Sequence, residues 1–174
     1  TLRRLASVLQ QMIDERRATI ERDGETRGDF LSLLISARDE NDGRPLSNQQ
    51  LRDEVMTMFL AGHETTANAL SWTWYLLGQN PEQQQWLRDE VDQVLQGRLP
   101  TPADMPRLIY CERVVREAMR LYPPAYVIGR RCEEDCTIGE HFIPAMTNVL
   151  MSQWVVQRDE RWFAEPNEFR PDRW

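Results

Sequence analysis

Residues 59–70 read Phe-Leu-Ala-Gly-His-Glu-Thr-Thr-Ala-Asn-Ala-Leu and set an acid beside an alcohol, Glu64 and Thr65, in the middle of an apolar, buried-looking helical segment. Such residues need a reason to be there. Glycine weakens a helix by about 1 kcal/mol relative to alanine, and an acid in apolar surroundings is costly unless something pairs with it. Ala61 and Thr65 are four apart and stack on one helical face, and Gly62 removes a side chain beside them. Something flat or bulky can therefore approach the backbone closely, meeting the Thr65 hydroxyl with Glu64 next to it as a proton source. Thr65 can also bond a carbonyl one turn earlier and open the helix locally. The same residues suit a plain small-residue contact with a crossing helix, with Glu64 paired to an arginine. The local pattern leaves both readings open.

A metal hydrolase is the other chemistry these residues bring to mind. His63-Glu64 begins the His-Glu-x-x-His zinc pattern, which needs a second histidine four residues on so that both ligands share a face. That position is Ala67, and the chain's other histidine is His141. The zinc reading fails at its decisive residue.

Two further patterns carry charge. Glu117 and Arg120, in Glu-Ala-Met-Arg, are spaced to meet on one helical face, which at a surface contributes only about 0–1 kcal/mol. Residues 169–174, Phe-Arg-Pro-Asp-Arg-Trp, place arginines among aromatics around a proline and read as an ordered loop.

The elements that must position these residues are mostly helices. Apolar residues recur at helical spacing from Leu2 to Ile13, and Asp23-Gly24 ends the pattern; Asp29 caps a second helix through Phe30, Leu33 and Leu34. Ser47 and Gln50 form a capping-box start to a third, which continues to Gly78 and at ~45 Å would cross a whole domain. Asn80-Pro81 caps a fourth, with Pro in its first turn, and a fifth carries Cys111, Val114, Val115, Ala118 and Tyr122 before Pro123-Pro124 stops it. Beyond lie four short strand-like stretches, then a loop rich in Pro, Asp and aromatics. The predicted architecture is mainly α with a small β-sheet near the C-terminus. Residues 1–122 form the helical part, 123–151 the short strands and 152–174 the loop.

Bulk properties narrow the function. The 174 residues carry a net charge of −7 and 28% charged side chains, which argues against a nucleic-acid partner. Cys111, Cys132 and Cys136 follow neither disulfide nor zinc spacing, so they read as structural or incidental thiols in a reducing, cytoplasmic setting. No run approaches transmembrane length. A membrane anchor preceding Thr1 stays open.

The three patterns, in this order and on helix, helix and loop, together resemble the cytochrome P-450 haem-thiolate monooxygenases. Ala-Gly-His-Glu-Thr-Thr resembles that family's oxygen-groove motif, Glu-Ala-Met-Arg-Leu-Tyr-Pro-Pro its Glu-x-x-Arg helix, and Asn-Glu-Phe-Arg-Pro-Asp-Arg-Trp its meander. The likeness covers essentially the whole chain. It implies that Ala61 and Gly62 line the distal face of a haem b, and that Glu64 and Thr65 are the acid–alcohol pair relaying protons for dioxygen activation. It implies that Glu117, Arg120 and Arg173 form a buried structural triad, and that Arg130 meets a haem propionate, with Arg131 its neighbouring candidate. It implies an enzyme that inserts one oxygen atom into a small organic substrate, with dioxygen as co-substrate and electrons from a ferredoxin, a flavodoxin or a reductase domain.

The sequence also departs from the family. The axial cysteine is expected beyond Trp174, so the chain reads as an incomplete domain that is inactive alone, with no metal ligand of its own. Gln157 stands where the family usually has His, and Met146 where it commonly has Gly. Two alternatives frame the reading: a helical interaction domain with coincidental motifs, and a non-oxygenase isomerase or dehydratase on the same fold. Members of the latter kind tend to lose the acid–threonine pair that Glu64 and Thr65 retain.

Overall fold

The computed structural model describes residues 2–24 and 28–174; the Leu2 side chain lies outside what is described. The chain divides into two compact units, 1–64 and 65–174. The first holds α1 (Leu2–Asp23), α2 (Phe30–Ser36) and the start of α3 (Asn48–Gln79). The second holds the rest of α3, then α4 (Pro81–Leu95), α5 (Ile109–Leu121), four short strands and α6 (Gln153–Val156).

Local chemistry explains these boundaries. Gly24 ends α1 with φ of +66°, a left-handed conformation that glycine adopts without a Cβ clash. Asp29 caps α2 by accepting the Ser32 N–H at 3.0 Å. The Ser47–Gln50 capping box is reciprocal: Ser47 Oγ accepts the Gln50 N–H at 3.2 Å, and Gln50 Oε1 accepts the Ser47 N–H at 3.0 Å. Asn80 departs from its sequence reading. Its side chain does not cap α4; instead Nδ2 donates to the Leu76 carbonyl at 2.8 Å, satisfying the frayed end of α3, while Pro81 starts α4 with its preset φ.

In the first unit Leu9 and Ile13 of α1 and Leu51 of α3 are buried. In the second, Leu76 and Leu77 of α3 meet Val114, Ala118 and Leu121 of α5 and Phe169 of the C-terminal loop. The start of α5 has no side-chain cap of its own, because Leu108 precedes it. Glu90 of α4 supplies one from outside, accepting the Tyr110 N–H at 2.7 Å and the Cys111 N–H at 2.9 Å. A carboxylate at a helix N-terminus also meets the positive end of the helix dipole. Glu90→Ala is expected to cost about 0.5–2 kcal/mol, the range for a lost cap, measurable in urea melts.

The predicted small sheet is in fact two separate two-stranded ones. β1 (Ile128–Arg131) pairs antiparallel with β4 (Asn148–Met151), and β2 (Cys136–Ile138) pairs with β3 (His141–Ile143). The turn before β4 explains one departure from the family. Met146 sits at φ of +68°, where a side chain costs about 1–2 kcal/mol and glycine costs none. Its N–H still donates to the Cys132 carbonyl at 2.7 Å. Met146→Gly is therefore expected to raise stability, by about 1 kcal/mol after glycine's own entropy cost is counted.

Candidate functional site

Ala61, Gly62 and Glu64 end the first unit and Thr65 begins the second, all on α3. The helix is uninterrupted from Asn48 to Gln79, so the local opening expected around Thr65 is absent from this structure. It is also not buried there. Residues 57–68 are exposed throughout, among them Met58, Phe59 and Leu60. A helix that is apolar around much of its circumference is built to be covered on several sides, which explains why its sequence reads as buried.

The crossing-helix reading finds no support among the described residues. A Cβ built on Gly62 would meet no atom within 4 Å. Glu64 makes no ion pair or hydrogen bond among the described residues, so the expected arginine partner is missing too. Residues 61–65 of α3 are exposed, Glu64 and Thr65 among them. His63 stacks on Phe59, ring centroids 5.7 Å apart, and belongs to the helix surface rather than to a metal set. No cluster of three or more potential metal ligands exists among the described residues.

The charged residues of α5 and the C-terminal loop converge on one carboxylate. Glu117 and Arg120 share a face of α5 that is turned inward, leaving Glu117 0% and Arg120 2% exposed. Glu117 Oε1 accepts from Arg120 Nη2 at 2.8 Å, from Arg173 Nε at 2.9 Å and from the Arg170 N–H at 3.0 Å. Oε2 accepts from Arg120 Nε at 2.9 Å and from the Trp174 indole N–H at 3.0 Å. Both oxygens are saturated. Burial pushes this carboxyl up, but the Arg120 hydrogen bonds, the Arg170 amide and the two arginine charges outweigh it, leaving it below the ordinary value of 4.5.

Arg120 spends its remaining donors on the main chain of the loop. Nη1 donates to the Gln157 and Pro166 carbonyls, both at 2.7 Å, and Nη2 donates to the Glu168 carbonyl at 3.0 Å. Its guanidinium also lies 5.1 Å from the centroid of Phe163. One side chain of α5 thus fixes three separate points of 152–174, which is how a segment with little regular structure stays ordered. The contact at Gln157 is through the backbone carbonyl, so this position can change side chain and keep the bond.

Sequence reasoning missed several of these participants. Trp174 and the Arg170 amide could not be assigned to Glu117 because indole and backbone donors leave no charge pattern to read. Arg158 lies 4.3 Å from the Trp154 ring centroid and 5.3 Å from that of Tyr122. The signal for that sandwich was a Trp four residues before an Arg.

Arg130 lies on β1, exposed, with Nη1 donating to its neighbour's carbonyl, Gly129 O, at 2.8 Å. Neither it nor Arg131 has an acidic partner among the described residues. Successive strand residues point to opposite faces, so only one of the two can serve a given ligand. Cys111 is half-buried on α5, where burial pushes its thiol up, followed by the nearby Glu90 charge. Cys132 and Cys136 contact each other, sulfurs 3.7 Å apart.

Among the described residues no helix is long and apolar enough to cross a membrane.

Comparison with known proteins gives the same direction throughout. The chain is 46% identical over 173 residues to cyclooctatin synthase of Streptomyces melanosporofaciens, a match covering 99% of this chain and 37% of that protein. It is 37% identical over 171 residues to cyclooctat-9-en-7-ol 5-monooxygenase of the same organism, covering 98% of this chain and 36% of that protein. Among solved structures, a cytochrome P450 crystal structure (CYP102L1) superposes with a TM-score of 0.89 at 28% identity, over 98% of this chain and 39% of the other. The chain therefore spans a little over a third of the length of these relatives. The mainly helical fold is theirs, and the reading as a coincidental helical domain is set aside. A family model described as Cytochrome P450 matches every residue from 1 to 174, and the chain belongs to that family.

Proposed function

We propose that this chain is the part of a haem-dependent monooxygenase that holds the dioxygen side of the cofactor, in a protein that inserts one oxygen atom into an organic substrate. The observation that carries the proposal is the Cytochrome P450 match over the whole chain, with Ala61, Gly62, Glu64 and Thr65 together on an exposed stretch of α3. Haem, when bound, supplies the redox centre at which dioxygen is activated. The residues present fit its distal side: Ala61 and Gly62 give close approach, Thr65 offers a hydroxyl, and Glu64 stands beside it as a carboxyl that can hand a proton inward. Arg130, or Arg131 on the opposite strand face, would meet a propionate.

They do not supply the axial thiolate. Burial pushes the Cys111 thiol up, and the sulfurs of Cys132 and Cys136 lie 3.7 Å apart, against each other. The thiolate accordingly comes from another part of the longer protein. The 174-residue chain mixed with haemin is expected to show no thiolate-type Soret spectrum; a stable one would assign the ligand to one of these three cysteines.

Glu117, Arg120 and Arg173 act by position, holding 152–174 onto α5. Electrons come from a ferredoxin, a flavodoxin or a reductase domain. The substrate is a small, largely apolar molecule, for which the relative acting on cyclooctat-9-en-7-ol gives the first compound to try. With redox partners, that alcohol and isotopically labelled dioxygen, the full-length protein is expected to place one labelled oxygen in the product. Label arriving from water, or turnover of the substrate without dioxygen, would contradict the oxygenase assignment.

A further inference from the structure

Two of the three thiols are placed together by the backbone. Cys132 extends the β1–β4 ladder, its N–H donating to the Thr147 carbonyl at 3.0 Å and its own carbonyl accepting from the Met146 N–H at 2.7 Å. Cys136 begins β2 and is paired with Ile143 of β3. Glu133, Glu134 and Asp135 make the turn between them, and Asp135 Oδ1 accepts the Ala145 N–H at 2.7 Å. Cys136 is therefore carried on a paired strand, Cys132 on the residue that continues one, and the turn between them is tied down at Asp135. The two Sγ atoms lie 3.7 Å apart, in contact and within reach of the ~2.05 Å of a disulfide once the side chains turn toward each other. Both residues are half-buried, so a small oxidant can reach them.

We propose that Cys132 and Cys136 form a dithiol that a peroxide oxidises to an intramolecular disulfide, stapling the β1–β4 sheet to the β2–β3 hairpin. One thiolate attacks a peroxide oxygen, the O–O bond breaks, and hydroxide leaves to be protonated to water, giving a sulfenic acid. The second thiolate attacks that sulfur, the S–O bond breaks, and a second water leaves. Two thiols lose two electrons and two protons, and hydrogen peroxide is reduced to two waters. The three carboxylates of the turn repel an anionic oxidant such as glutathione disulfide and leave a small neutral one as the better reactant. Cys111 makes no thiol contact among the described residues and stays reduced.

The test uses the full-length protein, reduced, desalted and exposed to hydrogen peroxide, then alkylated, digested and mapped by mass spectrometry. The expected result is a cross-link between Cys132 and Cys136 that dithiothreitol reverses, with Cys111 still alkylated. In Cys132→Ser and in Cys136→Ser, the remaining thiol of the pair is expected to give a dimedone adduct and no cross-link. Independent sulfinic acids at both positions, pairing with Cys111, or full alkylation of both after peroxide treatment would each overturn the proposal.

Discussion

Thr65→Ala in the full-length enzyme is expected to uncouple oxygen use from product formation. Substrate still binds and electrons still flow, but product per electron pair falls and hydrogen peroxide rises to account for the difference. Thr65 contributes a hydroxyl on an exposed stretch of α3, next in sequence to Glu64. A positioned proton donor is typically worth about 10²–10⁴ in rate for the step it serves. Removing the hydroxyl while keeping a helix-favouring residue leaves the helix sound, so the loss is chemical rather than structural. Thr65→Ser, which retains the hydroxyl, is expected to recover much of the coupling. Simultaneous measurement of product, peroxide and reductant consumed checks this, and unchanged coupling in Thr65→Ala would count against the acid–alcohol pair.

Loss of Glu117 is the corresponding prediction for stability. Glu117→Ala strands five donors at once: two from Arg120, one from Arg173, the Arg170 amide and the Trp174 indole. Breaking a buried pair by removing one partner costs about 3–5 kcal/mol, a large share of the ~5–15 kcal/mol that holds a typical domain together. By contrast Glu112 and Arg116, on the same helix, pair in solvent with side chains 60% and 53% exposed. Glu112→Ala is expected to cost under about 1 kcal/mol. Urea melts of both variants make the comparison. Arg120→Lys is not a rescue, because an ammonium cannot hold a carboxylate through two parallel bonds and reach three carbonyls as well.

The same carboxylate sets an acid limit. Its proton affinity is lowered in the folded state, so its stabilising contribution is complete above the ordinary value near 4.5 and is lost as pH falls through its lowered folded value. The depressed Asp104 carboxyl, held by Arg98 and Thr101, shifts in the same sense. Stability is therefore expected to fall progressively below pH 4.5, and Glu117→Gln is expected to flatten that dependence.

Much of the fold could be read in the sequence because its signals are local. Ser47 and Gln50, Asp29 and Gly24 act on residues a few positions away, and each does what its chemistry implies. What escaped is long-range. The Asn80 amide could cap the helix behind it or the one ahead, and nothing in the sequence decides between them. Glu90 caps a helix some twenty residues on, a contact that exists only once α4 and α5 are packed. Met146 was visible as a departure, but the reason it matters, a left-handed backbone, needs coordinates. At the site, the spacing of Glu117 and Arg120 was equally consistent with a weak surface pair; burial separates the two cases. The exposure of α3 ran against its apolar composition, because periodicity reports which faces a helix is built to cover, and these residues alone do not cover them.

We place the face of α3 at Gly62 against the dioxygen side of a haem. Gly62→Leu in the full-length protein tests this placement, because within this chain an added Cβ meets no atom within 4 Å and leucine favours the helix over glycine. Carbon monoxide and imidazole binding, followed by the Soret band, are expected to weaken by at least tenfold, equivalent to about 1.4 kcal/mol of steric cost. Wild-type affinity for both ligands, in a variant with a normal haem content, would contradict it.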